Sequence, residues 1–377
     1  MNDDKVRLGV IGCGGFGLFA LQHFTQIPDV ELVGMAGTHR EAAYAAARRY
    51  GVPDIVDVEK LVAQNDVDVI YISTPPFLHH QQAAAALRHG KHVLVEKPLA
   101  MNLQQADEML ALAREKDRFC VANLMQRYNP LYEKIGTLIR EKILGELLHA
   151  YFENYAADEG LAPEHWFWDP EKSGGIFIEH GVHFFDMFAG WLGEGNVVAA
   201  QRTIRPTTGV EEQVQCTVRY GPTVLVNYYH GFTQPNRMDR QEMRFLFERG
   251  DVTLHEWIPT RVRIHAIADE KGTRDLCELF PGVALDVRQW YHGAERSAKA
   301  RHQSLDVYQQ LDLRYGDETF KMHNYGLILR NLFADQIAWT KDHSRQRKIT
   351  EENGRTSLAT ALEATRLARQ ETPTPNR

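Results

Sequence analysis

The stretch "VIGCGGFG" at residues 10–17 constrains this chain more than any other. It closes a β-branched run, Val6 to Ile11, and supplies Gly12-x-Gly14-x-x-Gly17 ahead of a helix-like segment, Phe16 to Ile27. Gly12 allows a tight turn, and Gly14 lets backbone approach a diphosphate. Gly17 permits close helix–strand packing, while the helix start offers free N–H groups to phosphate oxygens. The segments downstream add weight to the motif. Strand-like runs at 31–36, 67–72, 92–95 and 119–122 alternate with helix-like runs at 40–50, 81–89 and 103–116. That β-α order predicts a parallel sheet covered by helices on both faces, built to hold a dinucleotide.

The character changes near residue 125. After a helical stretch at 130–142, strand composition dominates at 146–155, 197–205, 213–220, 223–230, 242–248 and 262–266, with turn signals such as "YGPT" and "ERGD" between them. Several of these runs lie close enough to pair antiparallel. Helices are expected at 325–341 and 354–370, and a frayed "ETPTPNR" tail after them. The division predicted is 1–124 for a cofactor domain and 125–377 for a second domain that binds substrate and self-associates.

Composition excludes several classes. The formal net charge is −7, so no global basic field favours nucleic acid or an anionic membrane. No uncharged apolar run approaches spanning length. Cys13, Cys120, Cys216 and Cys277 are far apart and form no C-x-x-C pair. They read as reduced thiols, and "MNDDKVRLGVIG" lacks the layout of a secretory signal, so a cytoplasmic location is expected.

The carboxyl ends of the strands carry the next signals, because ligands bind there in parallel sheets. After the second strand, "AGTHREAA" shows no acid before Glu41. A carboxylate at that place would receive the ribose 2′-hydroxyl of NAD, whereas Thr38 and Arg40 suit a 2′-phosphate. NADP or NAD is expected, with NADP preferred. Thr74, Pro75 and Pro76 end the third strand, with His79 just beyond, and Glu96-Lys97-Pro98 ends the fourth. The expected cofactor contacts are Gly12, Gly14, Phe16, Gly17, Thr38, Arg40, Thr74, Pro75, His79, Glu96 and Lys97. A lysine at this edge can also manage a hydroxyl proton.

Taken in order, the glycine motif, Thr74-Pro75-Pro76, "GKHVLVEKPLA", Arg127 with Pro130, and "SGGIFIEHGVHFFD" resemble the glucose–fructose oxidoreductase / inositol dehydrogenase / MocA family. The likeness is dense in the first third and then thins to one strong motif. It implies an α/β fold with an N-terminal doubly wound Rossmann sheet. It further implies a C-terminal α+β domain with a large, open, mainly antiparallel sheet, buried in a homodimer or homotetramer. The implied chemistry is reversible hydride transfer at a hydroxyl-bearing carbon of a sugar, sugar derivative or cyclitol.

"GGIFIEHGVHFFD" (174–186) then acquires a meaning. Residues four apart on a helix share a face, so Glu179 and His183 point one way and Asp186 follows three residues later. The resemblance makes His183 the general acid/base, with Lys97 as its partner. Relatives often carry Asp where this chain has Glu179, and the extra methylene moves the carboxylate by about 1.5 Å, one C–C bond. Glu179 is expected to position substrate and His180 to add a contact. Asp186 either orients His183 or serves local polar groups. Arg127 either touches substrate or bridges the domains, and Trp166 in "HWFWDP" either stacks on a sugar ring or packs. His-x-x-His beside an acid is not the H-E-x-x-H spacing, so no metal is expected; buried structural histidines remain the plain alternative. Two rival functions stand beside the dehydrogenase. One is an NAD(P)-dependent glycosidase working by transient oxidation, elimination and re-reduction. The other is a cofactor-binding regulator without turnover.

Overall fold

The computed structural model describes residues 5–37, 40–53, 57–158 and 160–371, with residues 40 and 371 in their backbone only. The expected frayed tail lies outside these residues, apart from its first residue. Five short strands form the first sheet: β1 (Val6–Ile11), β2 (Val30–Ala36), β3 (Val69–Ile72), β4 (His92–Val95) and β5 (Cys120–Ala122). All neighbours are parallel, in the order β2-β1-β3-β4-β5. Every residue of β3 and β4 is buried, as expected when helices cover both faces. From β1 the chain steps one way to β2 and then the other way to β3. That reversal opens a crevice beyond Ile11 and Ile72, where ligands of such sheets bind.

Nine strands form the second sheet. They are β6 (Leu147–Ala157), β7 (Gly195–Ile204), β8 (Glu211–Tyr220), β9 (Val224–Gln234), β10 (Arg240–Phe247), β11 (Gly250–His255), β12 (Arg261–Ala268), β13 (Ala284–Trp290) and, after a small hairpin of β14 (Ser297–Ala300) and β15 (Gln303–Asp306), β16 (Gln309–Gly316). The order is β13-β16-β12-β11-β10-β6-β9-β8-β7, antiparallel throughout except where β6 lies parallel to β9. Alternation sets the two faces. Phe152, Tyr228, Phe245, Val252 and Ile264 point inward and are sealed. The apolar helix Val182–Leu192 covers the first three, its Phe184 ring stacked on Phe152 at 3.6 Å between centroids. The opposite face leaves Arg244 and Arg263 exposed and Tyr151 and Tyr155 half-buried.

One expectation changes. Residues 177–181 form a π-helical turn rather than the start of a uniform α-helix. Of the last two helices, Glu351–Glu371 packs against β5 of the first sheet and β7 and β8 of the second, and Lys321–Lys341 against the helix Gly15–Phe24. No helix among the described residues is long and apolar enough to cross a membrane.

Candidate active site

The glycine turn is built for close approach. Gly12 has φ +107°, and a Cβ there would lie 2.7 Å from the Ser73 backbone. A Cβ on Gly17 would lie 2.1 Å from Ser73 Oγ, which instead donates to the Gly12 carbonyl at 3.0 Å. Around Gly14 and Gly15 a Cβ would meet nothing within 4 Å, so the space above the turn is open. The helix Gly15–Phe24 starts there with no side-chain cap and no acid in its first turn. Free N–H groups, open space and a backbone that tolerates only glycine fit the diphosphate of a dinucleotide. Phe16 and Ser73 line the adjoining cleft. Thr38 and His39 fall outside the described residues, as does the Arg40 side chain.

Behind the crevice, polar groups hold the loops in place. Thr74 Oγ1 donates to Gln82 at 2.6 Å, and Pro75 leads into a short 3-10 turn at Pro76–Leu78. His79 is fully buried, its Nε2 2.8 Å from the Thr74 carbonyl and its Nδ1 2.8 Å from the Pro98 carbonyl. It therefore stitches the loop after β3 to the loop after β4 and has no surface on the cleft. Burial pushes its pKa down to about 4, although both carbonyls favour the charged ring. Glu96 accepts from Tyr71 and Asn123, each at 2.6 Å, and burial raises its pKa against those bonds.

Next to Glu96, Lys97 projects to the 174–186 segment. Its Nζ donates to the Glu179 carboxylate at 2.5 Å and to the Glu179 carbonyl at 2.8 Å. The longer glutamate arm thus reaches the ammonium and holds it. His183 lines the same cleft, with its ring 5.4 Å from Trp257. Of its two nitrogens, Nδ1 is sealed without a partner. Burial and then Lys97 keep its pKa well below the usual histidine range, so the ring is neutral near pH 7. His180 also lines the cleft, its Nδ1 2.9 Å from Nδ1 of His230 on β9. The π turn, with its wider i→i+5 spacing, carries Glu179 and His180 just ahead of His183; such turns recur at functional sites. The cavity holds about 390 Å³ and is bounded by Phe16, Thr74, Lys97, Trp166, Trp257 and Tyr325 among others. A larger cavity of about 710 Å³, between Phe77, Pro170 and Leu362, contains no lysine or histidine and thus no comparable acid–base set.

An NAD-binding Rossmann-fold oxidoreductase profile matches residues 6–124, and the GFO/IDH/MocA C-terminal domain matches residues 132–253. The chain belongs to the GFO/IDH/MocA family. Among curated members, 1,5-anhydro-D-fructose reductase of Ensifer adhaerens is 33% identical over 54% of this chain and 62% of its own length. The dTDP-3,4-didehydro-2,6-dideoxy-alpha-D-glucose 3-reductase of Actinomadura kijaniata is 29% identical over 48% of this chain and 54% of its own. The matched part therefore spans just over half to under two thirds of these relatives. The WlbA dehydrogenase of Bordetella pertussis, solved with NADH and UDP-GlcNAcA, superposes over 100% of both chains with a TM-score of 0.79 at 18% identity, a likeness of fold.

In this family member, two residues expected near substrate lie elsewhere. Arg127 donates to both carboxylate oxygens of Asp186, at 2.8 and 2.6 Å, and to its carbonyl at 2.9 Å. Asp186 is buried and neither residue lines the cleft. The bidentate pair ties the loop after β5 to the helix of His183. Asp186 therefore does not orient His183. Trp166 does reach the cleft together with Phe167, while Trp168 packs under the Arg205 guanidinium. Sequence reading missed Ser73, His230, Trp257 and Tyr325. Ser73 adjoins the Thr74-Pro75-Pro76 signal and was within reach of it. The other three stand alone in a strand, a turn and a helix and carry no local pattern.

Proposed function

We propose that this protein is an NAD(P)-dependent oxidoreductase that interconverts a hydroxyl and a carbonyl on a sugar, sugar derivative or cyclitol. One observation carries the reading: Lys97, held by Glu179, and His183 share a cleft that adjoins the glycine turn. When bound, the nicotinamide supplies or accepts the hydride. The chain's own residues manage the oxygen. Two of the three ammonium protons of Lys97 are engaged by Glu179, which leaves one for the substrate oxygen. Because Nδ1 of His183 is sealed, its dealings with substrate pass through Nε2. A sealed nitrogen is least costly as a bare lone pair, so the resting ring carries its proton on Nε2. In that form His183 polarises a carbonyl oxygen, and Lys97 delivers the proton as the alkoxide forms. In oxidation the same groups run backward. Trp166 provides a wall for a sugar ring, and His180 a polar contact.

NADP is the proposed preference. The absence of any acid between Ala36 and Glu41 supports it, as does Arg40 at the start of its helix. We propose a homodimer or homotetramer formed through the open face of the second sheet, and a cytoplasmic location consistent with four free thiols. The glycosidase reading gains no specific support from the cleft. The deciding experiment is nicotinamide absorbance with NADPH and NADH against a panel of keto sugars, and with the oxidised cofactors against sugars and cyclitols. Cofactor-dependent turnover is expected. Aglycone release from glycosides with no net change in absorbance would transfer the assignment to the glycosidase; silence across the panel with tight cofactor binding would transfer it to a regulator.

A further inference from the structure

Beneath the cleft, the inner face of the second sheet carries a polar row where aliphatic and aromatic residues otherwise stand. His230 on β9 pairs in register with Asn154 on β6, and Asn154 with Gln241 on β10. All three are buried. Gln241 Nε2 donates to Asn154 Oδ1 at 2.6 Å, and His230 Nδ1 meets His180 Nδ1 at 2.9 Å. His180 is the member that reaches the cleft.

Two imidazoles joined Nδ1 to Nδ1 must adopt opposite roles, one donating and the other accepting. Burial pushes the pKa of His230 down to about 3 and holds that of His180 well below the usual range, so each ring carries one proton near neutrality. If His180 donated, the proton of His230 would sit on Nε2, which is buried without a partner. Its in-register neighbour Asn154 already has a buried Nδ2 with no acceptor. A second orphaned donor would then join the first, and buried N–H groups without acceptors are among the rarest features of folded proteins. If His230 donates, its sealed Nε2 is instead a bare lone pair, which costs less to bury than an N–H without an acceptor.

We propose that His230, with its Nε2 sealed and its Nδ1 donating, fixes His180 as an Nε2–H donor that binds a carbonyl or carboxylate oxygen of the substrate. His230 is thus a positioning residue and His180 a specificity-determining one. The Nε2 atom of His180 is not sealed, and the ring borders both the cleft of Lys97 and a smaller cavity of about 180 Å³ lined by Asn154, Gln241 and Lys321. With Lys97 and His183 also presenting N–H groups, the cleft is rich in donors and calls for acceptor oxygens on its ligand. The ligand part rests on the function proposed above; the tautomer does not.

The test uses the full-length protein labelled with ¹⁵N-histidine. Long-range ¹H–¹⁵N correlations at neutral pH report each ring's tautomer, and the signal lost in H180Q identifies His180. His180 is expected with its proton on Nε2 and a bare Nδ1. In H230F the Nδ1–H form should appear in a sizeable fraction of molecules, and H230N, whose amide N–H replaces the lost donor, should restore the original pattern. A wild-type His180 protonated on Nδ1 overturns the proposal without recourse to any His230 variant, as does an unchanged ring in folded H230F. With a keto sugar found active in the panel, KM should rise about tenfold in H230F, the worth of one hydrogen bond, with kcat little changed and KM recovered in H230N. An unchanged KM in H230F would refute the substrate contact. A panel without activity would count against the oxidoreductase reading and leave the tautomer result standing.

Discussion

The two walls of the cleft are made in different ways. The wall from the first sheet comes from contiguous stretches: Gly12 to Gly17, Ser73 to Pro76, and Glu96 with Lys97. The wall from the second sheet gathers His180 and His183, Trp257 from the turn between β11 and β12, Phe232 from β9, and Tyr325 from the helix Lys321–Lys341. Cofactor geometry depends on backbone shape and needs glycines at fixed spacing. Substrate geometry depends on side-chain direction, which distant segments can supply. The first leaves a local trace in sequence throughout; the second does so only at residues 174–186.

If the walls have separate duties, substitutions should separate turnover from cofactor binding. H183A is expected to show the largest effect, a loss of turnover of about 10²–10⁴-fold, with NADPH affinity unchanged by fluorescence titration. H183Q keeps an N–H near the Nε2 position and should lose markedly less; equal losses in both would mean that His183 itself moves the proton. R127A removes one partner of the buried pair with Asp186 and should lower unfolding free energy by about 3–5 kcal/mol, read in urea, through stability and not through KM. G12A should weaken NADPH binding by about 1–3 kcal/mol, the usual range for backbone strain at a functional turn, because φ +107° and the Ser73 backbone leave no place for a methyl. An unaltered Kd there would break the comparison.

Acid sharpens it further. His79, His92, His180, His183 and His230 all have folded pKa values below that of the unfolded chain, chiefly through burial. Below the unfolded value of about 6.5 the unfolded state binds more protons, so stability falls with pH until each folded pKa is reached. Each such ring contributes a slope of about 1.4 kcal/mol per pH unit. Burial raises the folded pKa of Asp186 to about 6 and also that of Glu96, which offsets part of this slope, so the melting temperature should be flat above pH 7 and fall from pH 6 to pH 4.5. Two of these five rings line the substrate wall and a third, His230, lies behind it, so the double variant H180F/H230F should flatten the acid limb if it folds.

Legibility in the sequence divides along the same line. β1 to β5 could be read within two residues, because buried parallel strands are continuous apolar runs and two of the helices between them are followed by glycines, Gly51 and Gly90. β11, β13 and β16 escaped notice. They carry charges such as Asp251, Arg288 and Asp312 on a half-open face, and Gly250 with Asp251 looked like a turn. The motif at 174–186 was found, but its internal geometry was not, because a π turn has no sequence signature. Regular helical spacing therefore grouped Asp186 with His183, when a bidentate arginine from another loop had claimed it. His79 looked like a ligand-side residue, whereas its two carbonyl partners lie on loops that only the fold brings together.

The single parallel seam in the second sheet has a consequence for how the molecule assembles. β9 and β10 follow each other closely in the chain, yet β6 is wedged between them, bonded on both edges to segments far along the sequence. No hairpin formed early can complete this sheet, since the wedge must find an opening between two strands that would otherwise pair at once. Asn154 rides on the wedge and His230 on one side of the opening. The register that aligns His230 with Asn154 under the cleft is therefore set only when the sheet closes around its wedge.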